Sequence, residues 1–243
     1  MALESIDLLN GSFSVIFVII STIVGIRTVL KYFESKNRTL LWVGFSWILI
    51  VAPWWPSSLS FIVALFTGQG LTLSTYLLIG NIPAPLFVLF LVGAFTEVYF
   101  HEKQKIILLI LVVIGILVEI YIIYYVLISN MPSELGTLQG IVDIEFRGFL
   151  RYYLLSVIVL VLILGCAIAY NSIKSDAPEI KLRGKFLLVA FISWTIGAIC
   201  DAVVPLTFFT LPIIRILLIS SAIEFYCGFV LPGFIRKAFL KES

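Results

Sequence analysis

The chain has 243 residues, of which 61% are hydrophobic and 12% are charged, and its mean hydropathy is +1.16. Soluble domains are usually about 45–50% apolar and about 25% charged, so this composition excludes an ordinary soluble domain and indicates a membrane protein. The net charge of +2 is too small to indicate a nucleic-acid partner.

Seven apolar runs follow one another along the chain, and each is long enough to cross a hydrocarbon core of about 30 Å as a helix. The predicted spans are residues 9–30, 39–66, 73–100, 106–129, 148–170, 186–209 and 212–235. The sequence therefore predicts an all-α, polytopic membrane protein that consists of one seven-helix domain, with the lipid bilayer as its solvent.

The positions of Lys and Arg predict the orientation. Three of them, Arg147, Arg151 and Arg215, lie at one end of the spans, and the others lie at the opposite end. Because cytoplasmic loops are enriched in these residues, we expect an outside N-terminus and a cytoplasmic C-terminus in the cell membrane. The basic end comprises Arg27, Lys31, Lys36, Arg38, Lys103, Lys105, Lys174, Lys181, Arg183, Lys185, Arg236, Lys237 and Lys241.

The last two spans contain Asp201, Arg215 and Glu224. A charge inside a membrane helix costs at least about 2.5–3.5 kcal/mol, so it usually faces a protein interior and has a partner. Because the connection between these spans is short, we expect Asp201 and Arg215 to pair in the outer half of the membrane. The pair would gate or bind a ligand, or it would only hold two helices together, with Arg215 partly extended towards the surface.

Two carboxyl groups lie near mid-depth, Glu224 in the seventh span and Glu119 in the fourth. We expect Glu224 to lie in a polar cavity. A carboxyl in a dry interior is neutral and acts as a hydrogen-bond donor or proton carrier. The alternative is a protonated carboxyl bonded to the backbone or to Asn81.

Prolines interrupt the second and third spans, in Pro53-Trp54-Trp55-Pro56 and in Pro83-Ala84-Pro85. Proline removes a backbone donor, and such breaks are tolerated in a membrane only where protein or a water-filled cavity satisfies the backbone. We expect Trp47, Trp54, Trp55 and Trp194 to line a pocket for a flat or cationic ligand. The alternative is kinked, aromatic packing without a ligand.

The second and sixth spans share a short pattern, Gly44-Phe45-Ser46-Trp47 and Ala190-Phe191-Ile192-Ser193-Trp194. The first and fifth spans share a glycine, Gly25 and Gly165. Two parallel three-helix repeats around one extra helix, a 3+1+3 arrangement, would place a cavity at the repeat interface. Chance similarity between apolar sequences is the alternative.

The longest connection between spans, residues 130–147, contains apolar residues that an open loop would expose to water. These are Leu135, Leu138, Ile141, Val142 and Ile144. We expect this segment to fold as a cap over the mouth of a cavity, with Glu145 paired to Arg147. The alternative is a mobile loop.

The order of spans resembles the heptahelical architecture of rhodopsins and seven-helix receptors. Retinal proteins need a lysine in the middle of the seventh span, and residues 214–231 contain none, so covalent retinal is not expected. The segments Pro53-Trp54-Trp55-Pro56, Phe191-Ile192-Ser193-Trp194 and Ser221-Ala222-Ile223-Glu224-Phe225-Tyr226 are also similar to uncharacterised seven-helix proteins of Asgard-type archaea. That second resemblance implies no known activity.

Motifs for catalysis are missing from the sequence, which has one histidine and no nucleophile elbow, zinc-protease motif or phosphate loop. We therefore expect neither an enzyme nor a metal or cofactor. The predicted function is a receptor-like sensor that binds a small apolar or amphipathic ligand between helices 2, 3, 6 and 7 and acts through a separate cytoplasmic partner. The alternatives are a transporter or proton pathway using Asp201, Glu224 and Glu119, and a scaffold without a ligand.

Overall fold

The computed structural model describes residues 3–240, so Lys241 of the basic end lies outside the described residues. Within the described part of the chain, seven helices are long and apolar enough to cross a membrane, which supports a multi-pass membrane protein. The helices are α1 (Ser5–Ser35), α2 (Arg38–Thr67), α3 (Leu73–Tyr99), α4 (His101–Ile128), α5 (Gly148–Ile173), α6 (Pro178–Val203), α7 (Thr210–Phe229) and a short α8 (Gly233–Phe239). The orientation in the membrane and the identity of the membrane stay predictions.

The fold departs from all-α in the connection between α4 and α5. Two strands, β1 (Gly136–Gln139) and β2 (Asp143–Phe146), form an antiparallel pair with Gly136 opposite Phe146. Gly140 at the turn has φ of +72°, a conformation that glycine adopts without a Cβ penalty. We call residues 136–146 the hairpin, and the end of the bundle where it lies the hairpin end.

The predicted helix breaks are present in α2 and α3. The first part of α2 (Arg38–Leu49) is followed by a 3-10 turn (Ala52–Trp54) and a second part (Trp55–Thr67). The first part of α3 (Leu73–Asn81) is followed by a second part that begins at Pro83. Proline at these positions cannot donate to the preceding turn, which explains both breaks.

The predicted ends of the last two spans were wrong. The sixth helix ends at Val203 because Val204, with φ of −95° and ψ of 129°, precedes Pro205, and a residue before proline is disfavoured in the helical region. The seventh helix ends at Phe229, shortly before Leu231 with φ of +49° and Pro232. The chain then resumes as α8.

Six of the helices close a ring. Neighbours in sequence pack together within α1–α3 and within α5–α7, α3 packs on α5, and α7 packs on α1, while α4 packs on α3 outside the ring. Aromatic side chains fill its centre, including Phe17, Trp47, Phe87, Phe191 and Phe225. A 3+1+3 duplication would give this order, but so would any six helices that close a ring in sequence, and the repeat stays a prediction.

Candidate functional site

A cavity of about 720 Å³ lies at the hairpin end of the ring. Its wall includes residues of α1, α2, α3, α5, α6, α7 and the hairpin. Small-molecule sites usually have about 300–1,000 Å³, so the cavity has the size of one. The location predicted between helices 2, 3, 6 and 7 was incomplete, because ring closure also brings α1 and α5 to the wall.

Asp201 and Arg215 form the ion pair that the sequence predicts. Arg215 Nη1 lies 3.0 Å from Asp201 Oδ1, and the Arg215 side chain is 1% exposed while that of Asp201 is 17% exposed. The N–H of Nη1 is not aligned with this oxygen, so the contact is ionic rather than a hydrogen bond. Arg215 Nη2 donates to Asn10 Oδ1 at 2.8 Å, which ties α1 to α6 and α7.

Trp54 holds the second oxygen of the same carboxylate. Its indole Nε1 donates to Asp201 Oδ2 at 2.9 Å. The 3-10 turn in α2 positions Trp54. The backbone carbonyl of Trp54 accepts a hydrogen bond from Ser58 Oγ at 2.9 Å, and its ring packs edge-to-face with Phe17, with ring centroids 5.1 Å apart. The proline break therefore places a hydrogen-bond donor at the ion pair.

Asn10 is a site residue that sequence reasoning missed. Besides accepting from Arg215, its Oδ1 accepts from Ser14 Oγ at 3.4 Å, and both residues are buried. Their spacing of four residues puts them on one face of α1. Two polar residues at this spacing inside an apolar run are the signal that would have identified this face.

The cavity wall changes from polar to apolar with depth. On α6, Asp201 at the mouth and Trp194 below it are separated by seven residues, which is two turns and about 10 Å along one face. On α3, Tyr76 lies at the hairpin end, and Phe87 lies about 16 Å deeper along the helix. All four residues line the cavity, so its floor is aromatic and its mouth is charged.

Acidic residues outnumber basic ones on the wall. Five carboxylate side chains and two arginines line it: Glu4, Asp7, Asp143, Glu145, Asp201, Arg151 and Arg215. Burial, reinforced by the charge of Asp201, raises the pKa of Asp143 to about 6, although the Ile144 N–H and Arg215 act in the opposite direction. The Asp143 carboxyl on β2 therefore titrates near neutral pH.

The hairpin caps the cavity. Tyr76 Oη donates to the Val142 carbonyl at 3.0 Å and shares a hydrogen bond of 2.6 Å with Ser57 Oγ. Ser60 Oγ donates to the Ile141 carbonyl at 2.5 Å. Ile141 and Val142 are 5% and 1% exposed, so the tip of the hairpin is inserted between helices. The predicted cap is confirmed.

At the water-facing edge of the hairpin, Arg147 Nη2 lies 3.7 Å from Glu145 Oε2. Both side chains are about half exposed, at 51% and 50%. The pairing expected from the sequence is therefore present, as a surface contact that water screens.

Glu224 does not lie in the cavity, contrary to prediction. It is nine residues from Arg215 on α7, and at 100° per residue the two side chains point to opposite sides of the helix. Glu224 is partly buried, and its Oε2 has no hydrogen-bond partner. Residue spacing alone was enough to exclude a shared pocket.

Four further predicted residues also lie away from the cavity wall: Glu119, Asn81, Trp55 and Trp47. Glu119 belongs to α4, which packs outside the ring. Asn81 is fully buried and donates from Nδ2 to the Leu77 carbonyl at 2.8 Å. This hydrogen bond lies within its own helix and does not involve a carboxyl. Trp55 packs against the central core. Trp47 likewise packs in the central core. Of the four predicted tryptophans, Trp54 and Trp194 line the cavity, as do Asp201 and Arg215.

No protein-family model, curated protein or solved structure matches the chain. The resemblance to rhodopsins and to seven-helix proteins of Asgard-type archaea therefore finds no support in these comparisons. What stands is a helical membrane protein with seven candidate spans.

Proposed function

We propose that this protein is a receptor-like sensor that binds a small amphipathic ligand, without a covalent bond, in the cavity at the hairpin end. The observation that carries the proposal is the gradient along the wall, from Asp201 at the mouth to Trp194 and Phe87 at the floor. Ligand sites combine a mostly apolar lining with a few placed polar groups. An amphipathic molecule would contact the charged mouth with its polar group and the aromatic floor with its apolar part.

The hairpin supports a sensing role. Asp143 and Gln139 of the hairpin line the cavity, while the adjoining tip is bonded to α2 and α3 through Ser60 and Tyr76. A ligand that contacts the hairpin therefore acts on the same segment that is attached to two helices. A separate cytoplasmic partner would read the resulting helix displacement.

The opposite end of the bundle favours a sensor over a transporter. Lys31 Nζ donates to the Val230 carbonyl at 2.8 Å, and Arg183 Nη1 donates to the Phe229 carbonyl at 3.1 Å. These contacts join α1 and α6 to the C-terminal end of α7. The free carbonyl groups and the helix dipole favour cations at that end. The transporter alternative needs a path between these joined helices.

Native mass spectrometry of protein extracted from its membrane tests ligand binding. Ala198 lines the cavity between Trp194 and Asp201, so Ala198→Phe places a phenyl ring inside it and obstructs the space between mouth and floor. Ile196→Phe on the lipid-facing side of α6, at a residue 48% exposed, is the matched control. We expect a small-molecule adduct on the wild type and on Ile196→Phe, and none on Ala198→Phe. An adduct retained by Ala198→Phe would place the ligand elsewhere and overturn the proposal.

Reconstituted liposomes separate the sensor from the transporter. The sensor predicts no flux of protons or of a bound amphipathic compound above that of empty liposomes. Flux that disappears in Glu224→Gln would instead support the alternative, in which the carboxyl on the far side of α7 carries a proton.

A further inference from the structure

We propose that the ligand of this cavity carries a cationic head group, an organic amine, which binds at the mouth beside Asp143 while its apolar body lies against Trp194 and Phe87. This inference rests on the proposed function and specifies the chemical class of the ligand. It is carried by the distribution of charge and of unmet hydrogen-bond donors on the wall.

The charge at the mouth is not balanced. Asp201 is neutralised by Arg215 and also accepts from Trp54. Within the described residues Asp143 forms no ion pair with Lys or Arg, and one of its oxygens accepts only from the N–H of the adjacent Ile144 at 2.9 Å. A partly buried carboxylate without a counter-charge favours a cation supplied by the ligand.

Asp7 adds to the negative potential at the mouth of the cavity, and burial and two hydrogen bonds hold its side chain in place. Its side chain is 6% exposed, and it accepts from the backbone N–H of Glu4 at 3.1 Å and of Ile141 at 3.4 Å. The remaining charges on the wall, those of Arg151, Glu4 and Glu145, are exposed to solvent, so water screens all three. The field inside the mouth therefore attracts positive charge.

The arrangement fits an organic cation better than a metal ion. Among residues 3–240, no three His, Cys, Asp or Glu side chains lie close enough together to hold a metal ion. The carboxylates instead surround the mouth from α1, α6 and the hairpin. Aromatic side chains at Trp54 and Tyr76 complete the wall, and ring faces attract organic cations.

Trp194 supplies an independent indication of a ligand. Its side chain is 3% exposed, it lies on the cavity wall, and its indole Nε1 has no hydrogen-bond partner among the described residues. A buried donor left unmet costs about 1–3 kcal/mol. An acceptor atom on the ligand at the level of Trp194, about 10 Å below Asp201 along α6, would satisfy it.

Three probes with the same apolar body, a phenyl ring and four methylenes, test the charge of the head group: 4-phenylbutylamine, 4-phenylbutanol and 5-phenylvalerate. Binding is measured at pH 7.5 by tryptophan fluorescence of the protein in nanodiscs, with empty nanodiscs subtracted. We expect the amine to bind at least about tenfold more tightly than the alcohol, and the carboxylate most weakly, because the amine alone gains from the carboxylates.

The variant Asp143→Asn assigns the preference to one carboxylate. We expect it to bring the amine to within about threefold of the alcohol and to leave the alcohol unchanged. Asp176→Asn, at an exposed residue near the basic end, is the matched control and should change neither. If the variant does not fold, the ranking of the three probes on the wild type still decides the question.

The outcomes separate this inference from the proposed function. Equal binding of the three probes would overturn the cationic head group and leave the cavity as an amphipathic site. A preference for the amine that persists in Asp143→Asn would overturn the role of that residue. Binding of none of the three, in a protein shown to be folded, would count against both the inference and the ligand-binding cavity.

Discussion

The indole Nε1 of Trp54 donates a hydrogen bond of 2.9 Å to Asp201 Oδ2, the carboxylate oxygen other than the one beside Arg215. Asp201 is thereby held at both oxygens, by a neutral donor from α2 and a guanidinium from α7. Because Asn10 binds the same guanidinium, the contact joins four helices of the ring at one depth.

Removal of one partner of this pair should be costly. In Asp201→Asn the Arg215 side chain, 1% exposed, keeps its charge in a buried position, and we expect a loss of about 3–5 kcal/mol in the free energy of unfolding. The double variant Asp201→Asn with Arg215→Leu should recover much of it, since no unpaired charge remains. Thermal unfolding in detergent micelles measures both.

The exposed pair of Glu145 and Arg147, 3.7 Å apart, provides the control. Glu145→Gln should change the free energy of unfolding by less than about 1 kcal/mol. Equal losses in Asp201→Asn and Glu145→Gln would mean that the buried pair is as well solvated as the surface one.

Trp54→Phe tests the second contact to the carboxylate. The ring is kept and the N–H donor to Asp201 is lost, so we expect a cost of about 1.5–3 kcal/mol, the usual value for a hydrogen bond to a charged group. Trp55→Phe is the matched control, because Trp55 packs in the core away from the cavity wall. Identical melting temperatures for the two variants would contradict a specific role for the Trp54 indole.

Seven spans, two proline breaks, the ion pair and the cap could all be predicted from the sequence, because each depends on local composition or on a short connection. The wall of the cavity could not. Residues of α1 and α5 reach it only because the ring closes, and ring closure is a property of tertiary packing. Glu224 is the instructive error, since it lies nine residues, or two and a half helical turns, from Arg215 and therefore points to the opposite side of α7.

Tyr76→Phe should loosen the hairpin. The hydroxyl binds both Ser57 and the Val142 carbonyl, so its removal leaves a buried carbonyl without that donor, at a cost of about 1–3 kcal/mol. Hydrogen–deuterium exchange in residues 136–146 should become faster, while exchange in the middle of α6 is unchanged. Tyr99→Phe, which removes a hydrogen bond of 2.9 Å to the Ala167 carbonyl, should leave exchange in the hairpin unaltered.

The stability of the protein should depend on the protonation of Asp143. Its pKa is raised from 3.8 to about 6 by burial and by Asp201, with Asp7 adding to the shift and Arg215 opposing it. The native state therefore binds this proton more tightly than the unfolded chain, and the contribution of Asp143 to stability falls as pH rises from about 4 to about 6.

Asp143→Asn removes this dependence. The free energy of unfolding of Asp143→Asn should exceed that of the wild type only slightly at pH 4, and by at most about 3 kcal/mol above pH 6. Melting temperatures across this range, compared with those of Asp176→Asn, measure it. A difference between wild type and Asp143→Asn that does not change with pH would contradict the raised pKa.

The most direct test of the account is a cryo-electron microscopy map of the protein in nanodiscs, purified from its membrane without added ligand and imaged with a bound antibody fragment. The map density inside the cavity is the measurement. The account predicts an elongated density with one end beside Asp143 and Asp201 and the other against Trp194 and Phe87. A cavity filled by repacked side chains, with the hairpin resting directly on Trp194, would contradict it.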